Sequence, residues 1–378
     1  MSPEDERPSF ERPVEIEPAS EPAETRFLKW ALFGAQGLRA GWSVALFIFL
    51  FFLVSAVLGA IIVLAIAEPL HIDLEQFTPK SALLLELMQF LPVVTAAAAC
   101  ALVERRRIVD YNLTGQRRSA HFFTGLVAGA VALSALIGLL DAGGWLSFGP
   151  TTLNGGQIVK YGLVWGLTFL LTGLTEEGGN RCYLLFTLTR SINFWWASGS
   201  AATLCLLAFL NTHGNGTDGV YLASAIGVVP CFLLQMKGSP STGFWNAAWL
   251  TSTLFGYFHT FNPGESWIGI FSAAAIGFVF CASVRLTGSA WWAIGFHASW
   301  DWAQTFFYGT ADSGLVPTGH FLSSTPTGAV LWSGGSDGPE GSVLVIPVVV
   351  LVLLALVAIY GRKTKTESTS PAVASQLS

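Results

Sequence analysis

Three carboxylates, two imidazoles and one guanidinium stand at spacings that suit proton-transfer chemistry. In "LTEEGGNRCYLL", Glu176 and Glu177 precede Arg181. On a helix, Glu177 and Arg181 form an i,i+4 pair in the order that favours an ion pair. That pairing accounts for Glu177 as a neutralised charge and leaves Glu176 over, a carboxylate beside a like charge and so a candidate general base or acid. Further along, "FGYFH" puts Phe255 and His259 one helical turn apart. "HASWD" does the same for His297 and Asp301, so that the carboxylate can hold the ring and fix its tautomer. Two glutamates and two histidines on three apolar stretches form a set able to activate a water and bind an oxyanion, with or without a metal.

The elements that must position these residues are membrane spans. Of 378 residues, 52% are hydrophobic and 11% charged, against about 25% charged in soluble domains. This composition argues against an ordinary soluble enzyme, a disordered chain and a nucleic-acid binder with a basic face. The net charge of -5 arises largely from the amino-terminal tail, whose first 26 residues hold eight acidic side chains. Apolar stretches recur near 41–67, 81–103, 120–141, 158–189, 194–210, 219–236, 244–259, 266–284, 289–307 and 343–360. Most are long enough to cross a hydrocarbon core of about 30 Å at about 1.5 Å per residue. The expected fold is all-α, a polytopic transmembrane bundle of about 8–10 membrane helices. An ionisable group inside a span costs about 2.5–3.5 kcal/mol on insertion scales. Glu86, Asp141, Glu176, Glu177, Arg181, His259, His297 and Asp301 therefore each call for a reason.

Loop charge sets the expected orientation. With the amino terminus inside, the inner loops collect Arg26, Lys29, Arg39, Arg105 to Arg107, Arg117, Arg118, Arg190, Lys237, Arg285, Arg362, Lys363 and Lys365, while the outer loops hold Lys80 and Lys160. Both termini are predicted cytoplasmic, in a multi-pass protein of a bacterial cytoplasmic membrane. The five cysteines are scattered singly and read as small buried hydrophobes. Gly125 and Gly129 form a GxxxG that allows close helix packing and carries no functional weight. "NFWWASGSAATLCLLAFLNTHGNG" from Asn193 echoes "GFWNAAWLTSTLFGYFHTFNPGES" from Gly243, so one copy looks inserted and creates a competing Phe209 and His213. His259 is preferred for its neighbours Asn262 and Pro263, because His213 lies in a turn-like "NTHGNGTDG". Simple alternation of spans puts Glu176 towards the inner leaflet and either histidine towards the outer one.

In family order, these motifs resemble the EExxxR, FxxxH and HxxxN/D of the CPBP intramembrane proteases, which group type II CAAX prenyl endopeptidases with bacteriocin-processing and Abi immunity proteins. The resemblance covers roughly residues 160–310 and implies an intramembrane endopeptidase. It assigns the site to Glu176, Glu177, Arg181, Phe255, His259, His297 and Asp301, with Glu176 activating a water. It implies either no cofactor or a divalent metal such as zinc, held if present by Glu176, His259 and His297. Implied partners are the lipid bilayer and a peptide, lipopeptide or prenylated-protein substrate, with no nucleic acid. The chain departs from the family pattern at Gly178, Gly179 and Asn180, where two glycines remove packing beside the base. That departure keeps a second reading open, a catalytically eroded immunity or scaffold protein of the same fold; a proton-coupled transporter is the third. The expected organisation is a disordered acidic cytoplasmic tail (1–30), amino-terminal membrane helices (31–157), a CPBP/Abi-like core (158–310) with an inserted helical pair near 194–243, an external loop (311–342) long enough to cap something, a last membrane helix (343–361) and a cytoplasmic tail (362–378).

Overall fold

The computed structural model describes residues 23–34, 37–214 and 216–368. Residues 1–22 of the expected acidic tail and 369–378 of the expected carboxy-terminal tail lie outside the described residues. The described residues up to Arg39 form a unit of their own, in which α1 (Ala23–Leu32) leads into a short antiparallel pair, β1 (Phe33–Gly34) and β2 (Gly37–Leu38). The end of the expected disordered tail is thus helical. Its residues explain this: good helix formers, with Glu24 in the first turn and Lys29 in the last, complement the helix dipole.

The second unit begins at Ala40. Helix α2 (Ala40–Ile62) runs into a π-helical turn at Val63–Ala67, and α3 (Pro79–Val103) and α4 (Arg118–Ala142) follow. After β3 (Leu146–Phe148) comes α5 (Gly156–Glu177), continued by a π-helical turn at Gly178–Leu184 and by α6 (Leu185–Thr189). Then come α7 (Phe194–Thr212), α8 (Thr217–Met236), α9 (Thr242–His259), α10 (Trp267–Thr287) and α11 (Trp291–Trp302), the last extended by a π-helical turn at Ala303–Tyr308. A loop with β4 (Ser324–Pro326) and α12 (Val330–Ser333) leads to α13 (Val345–Ser368). The structure is all-α and polytopic. Among the described residues, seven helical segments are long and apolar enough to cross a membrane, Ala40–Ala67, Pro79–Glu104, Arg118–Ala142, Gly156–Thr189, Phe194–Thr212, Thr217–Met236 and Trp267–Thr287. Helices α9, α11 and α13 occupy the other three apolar stretches; the first two are shorter or more polar because they carry Asn246, Thr251 and Ser252, and His297 and Asp301.

Within the stretch 311–342, β4 pairs antiparallel with β3 (Leu146↔Pro326, Phe148↔Ser324), so this long connection carries structure of its own. The final helix also runs on to Ser368, into the stretch expected as a tail.

Small residues set the helix registers that build the site. A Cβ on Gly125 or Gly129 would collide with the backbone carbonyls of Trp292 and Phe296, and one on Gly295 with that of Phe122. The GxxxG of α4 therefore does bring this helix backbone to backbone against α11. Helix α5 packs antiparallel to α11: a Cβ on Gly162 would lie 3.0 Å from Phe306, one on Gly166 3.7 Å from Trp302 and one on Gly173 3.0 Å from the Ile294 carbonyl. Around this frame, Leu133, Leu136, Ile137 and Leu140 of α4 pack with Phe280, Phe296 and Trp300 in a buried cluster.

Candidate active site

Glu177 and Arg181 are both fully buried, with Glu177 Oε2 3.2 Å from Arg181 Nε. The guanidinium lies 4.4 Å from the centre of the Phe255 ring and 5.5 Å from that of Phe280. It also fills the space that a side chain at Gly277 would take. Cation–π faces and one carboxylate thus replace the water this cation gives up. The other oxygen of Glu177 accepts from His297 Nδ1 (2.9 Å). His297 Nε2 faces Glu176 Oε2 at 3.7 Å and Asp301 Oδ2 at 3.4 Å. Four of the seven expected residues, Glu176, Glu177, His297 and Asp301, are therefore in mutual reach, with Arg181 behind them. The Glu176 side chain is 35% exposed while Glu177 is 0% exposed, so Glu176 is the carboxylate that water can reach.

Phe255 and His259 complete the group at one remove. The buried Phe255 ring lies 4.8 Å from the His259 ring and 6.1 Å from that of His297, in edge-to-face contact with both imidazoles. His259 Nδ1 is 2.8 Å from the Phe255 carbonyl, which fixes Nδ1–H as the donor and leaves Nε2 free for a ligand or water. His213 ends α7 in a left-handed conformation (φ 52°) and is exposed, as its turn-like surroundings suggest. Asp141 lies at the exposed end of α4, away from these contacts.

The depth conflict posed by simple alternation resolves through unequal helices. Glu176 lies inside the 34-residue element Gly156–Thr189, thirteen residues before its carboxy-terminal end. Gly277 touches both Arg181 and Ser252, and Gly243 touches the Thr189 carbonyl, so the stretch from α5 to α6 runs antiparallel to α9. From the level shared by Arg181 and Ser252, Glu176 is five residues along one element and His259 seven along the other. At about 1.5 Å per residue, these offsets are roughly 7 and 10 Å in the same direction, which puts both groups at similar depth.

The Gly178–Gly179–Asn180 departure coincides with the π-helical turn, where Leu185 N–H bonds to the Asn180 carbonyl, an i→i−5 bond. Asn180 Nδ2 donates to the Glu176 carbonyl at 3.0 Å, which keeps that backbone oxygen paired where the helical pattern changes. A Cβ at Gly178 would meet Val93 of α3 at an ordinary 3.6 Å, and one at Gly179 would meet nothing within 4 Å. Gly179→Ala is therefore expected to stabilise the protein, by up to about 1 kcal/mol, through lost unfolded-state freedom. Unfolding in detergent micelles checks this; a loss of stability would show that Gly179 needs a conformation alanine resists.

The long loop between α11 and α13 supplies acidic groups that local sequence did not mark as part of the site. Thr305 lies in the π-helical turn that extends α11 beyond Asp301, and its Oγ1 donates to Asp312 (2.8 Å). Trp300 Nε1 and Ser313 Oγ donate to Glu340 (2.8 and 3.2 Å), and Ser266 donates through N and Oγ to Asp337 (3.0 and 2.6 Å). Gly314 packs on the Pro263 carbonyl, so the loop tip bridges the segment after His259 and the end of α11. Burial, with Glu340 nearby, pushes the Asp312 carboxyl up to about 7. Burial pushes Asp337 up to about 6 against the lowering effect of Ser266, and burial with Asp337 nearby pushes Glu265 up to about 9. Carboxyls raised on folding stabilise the folded loop below their unfolded values, and that contribution is lost as pH rises through the folded ones. Loop amides at 311–315 and 334–342 should accordingly lose hydrogen-exchange protection, beyond the intrinsic rate change, between about pH 6 and 9. Constant protection across that range would sink the prediction.

A metal held by Glu176, His259 and His297 does not fit this geometry. Both nitrogens of His297 already face carboxylates, Nδ1 at 2.9 Å from Glu177 and Nε2 at 3.4 Å from Asp301. Among the described residues, no group of three or more His, Cys, Asp or Glu side chains is arranged to hold a metal ion.

No curated protein and no solved structure matches the chain significantly. A family model does match, over well under half of the chain. The matched segment runs from within α8 through α9 and α10 to the end of α11; it contains Phe255, His259, His297 and Asp301, and excludes His213, Glu176, Glu177 and Arg181. Residues 232–303 match the family described as Type II CAAX prenyl endopeptidase Rce1-like, the family grouping that the sequence motifs resemble.

Proposed function

We propose that this multi-pass membrane protein is an intramembrane endopeptidase of the CAAX-protease type. The observation that carries the reading is the meeting of Glu176, Glu177, His297 and Asp301 inside a membrane bundle, with His297 within 4 Å of all three carboxylates. Each role follows from position. Glu176, the exposed member, takes a proton from a water that attacks the scissile carbonyl. His297 presents the N–H donors nearest that point, where an oxyanion forms. Asp301 and Glu177 hold the His297 ring, and Arg181 holds Glu177. His259, anchored through Nδ1 with Nε2 left to take a partner, is the second imidazole assigned to the entering water. The substrate is a peptide bond brought in from the membrane, in a peptide, lipopeptide or prenylated protein.

The test is cleavage by the full chain reconstituted in liposomes, using internally quenched peptides with and without a carboxy-terminal prenyl cysteine motif. Cleavage of either set is the expected result, and preference between them identifies the substrate branch. A folded protein that cuts neither, in liposomes of several lipid compositions, would overturn the reading in favour of an eroded scaffold.

A further inference from the structure

A cavity away from the candidate active site combines a cation with aromatic walls at the end of a membrane span. Its volume is about 270 Å³, and it is lined by Arg118, Ser119, Phe122 and Phe123 from the first two turns of α4 and by Trp291, the first residue of α11. Gly125 packs on the backbone of Trp292 and Gly129 on that of Phe296, so α4 and α11 run parallel and begin at one membrane surface. The aromatic wall is held in place. Trp291 Nε1 donates to the Leu113 carbonyl (3.1 Å), and the Phe122 ring meets those of Trp291 (6.2 Å) and Phe123 (5.5 Å) edge to face.

The same surface carries more cationic charge than the protein itself neutralises. Arg106 pairs with Glu104 (3.3 Å) and Arg107 with Asp110 (2.8 Å), whereas Arg105, Arg117 and Arg118 make no ion pair among the described residues. The end of α13 arrives here too, since the Tyr360 and Thr124 hydroxyls meet at 3.0 Å, and the sequence continues with Arg362 and Lys363. Beyond the cavity, Phe123, Val127 and Val131 are exposed at four-residue steps along the membrane span of α4. They form an apolar track about 12 Å long. That length is close to the hydrocarbon depth of one leaflet, about 15 Å.

We propose that this cavity binds the phosphate headgroup of an anionic phospholipid, one acyl chain of which lies along Phe123, Val127 and Val131. Arg118 supplies a charge and a forked set of donors that suits phosphate oxygens, Ser119 supplies a hydroxyl, and the rings of Phe122 and Trp291 supply an apolar wall for the glycerol. Unpaired arginines at the end of a membrane span favour a lipid of net negative charge over a zwitterionic one, which brings its own cation. A soluble phosphate compound would use Arg118 and leave the apolar track without a part. The site does not depend on the endopeptidase reading.

The experiment counts lipid retained by the full-length protein in native mass spectrometry. The protein is first equilibrated in micelles of a non-ionic detergent with equal amounts of phosphatidylglycerol and phosphatidylcholine of the same acyl chains. Wild type is expected to retain phosphatidylglycerol in preference by about tenfold or more. Arg118→Gln should lower that preference by about fivefold, the usual effect of one arginine near a lipid surface. Arg118→Lys should keep part of it, since the charge remains and the forked contact is lost. Arg105→Gln removes an exposed cation from the loop that leads into α4, outside the cavity, and should change the preference little. Glycerol 3-phosphate in large excess should leave the bound lipid in place. Equal retention of the two lipids by wild type overturns the proposal. Equal losses in Arg105→Gln and Arg118→Gln also overturn it, by spreading the attraction over the whole surface. Displacement of the lipid by glycerol 3-phosphate would reassign the cavity to a soluble phosphate compound.

Discussion

Arg181→Leu is expected to destabilise the protein by about 3–5 kcal/mol, the usual result of removing one partner from a buried ion pair. Glu177 is fully buried and, among the described residues, keeps His297 Nδ1 at 2.9 Å as its remaining side-chain partner once the guanidinium is gone. The cost is therefore a stranded carboxylate more than a lost attraction. Adding Glu177→Gln to Arg181→Leu removes that charge and should recover most of the loss, because replacing both members of a buried pair is often close to neutral. Arg181→Lys should fall between the two. An ammonium cannot make the forked contact to Glu177 while lying flat between Phe255 and Phe280. Reversible unfolding in mixed micelles measures all three. A single Arg181→Leu change worth less than about 1 kcal/mol would mean that solvent reaches Glu177 after all.

The legible parts of this molecule are those written in local pattern. Apolar runs fixed where the ten helical stretches lie because a membrane span needs continuous apolar length and little else. Glu177 and Arg181 could be paired from spacing alone, since i and i+4 share a helix face whatever surrounds them. The glycines at 125 and 129 marked a close approach, but a motif on one helix does not say which helix fills it; that partner is α11, which carries His297. Simple alternation sets Glu176 and His259 apart because counting crossings treats them as equal. The element holding Glu176 is far longer than α9 or α11 and slides past them until Glu176 and His259 stand at similar depth. The Gly178–Gly179 pair, which suggests a loosened site when read as a plain helix, sits at a π-helical turn whose exposed carbonyl is served by Asn180. Asp312 could not be found at all, because only tertiary packing carries the loop tip back to Thr305.

Glu176→Gln is expected to lower kcat for peptide cleavage by at least about 1,000-fold, within the range that a positioned proton-transfer group contributes. The substitution keeps shape and hydrogen-bonding reach and removes only the basicity, so KM should move by no more than about threefold. Glu176→Asp tests position separately. It keeps the carboxylate but withdraws it by one methylene, and a displacement of about 1 Å in a reacting group costs on the order of 100-fold. Glu177→Gln should behave differently from both: it frees a buried guanidinium and an imidazole, so stability and kcat fall together. The contrast matters because the two glutamates are neighbours in sequence yet differ in exposure, one reachable by water and one sealed behind Arg181 and His297. Glu176→Gln retaining more than about a tenth of wild-type turnover would exclude it as the base. Equal behaviour of the two glutamine variants would mean that exposure does not separate their roles, and the base would then have to be sought at Asp301.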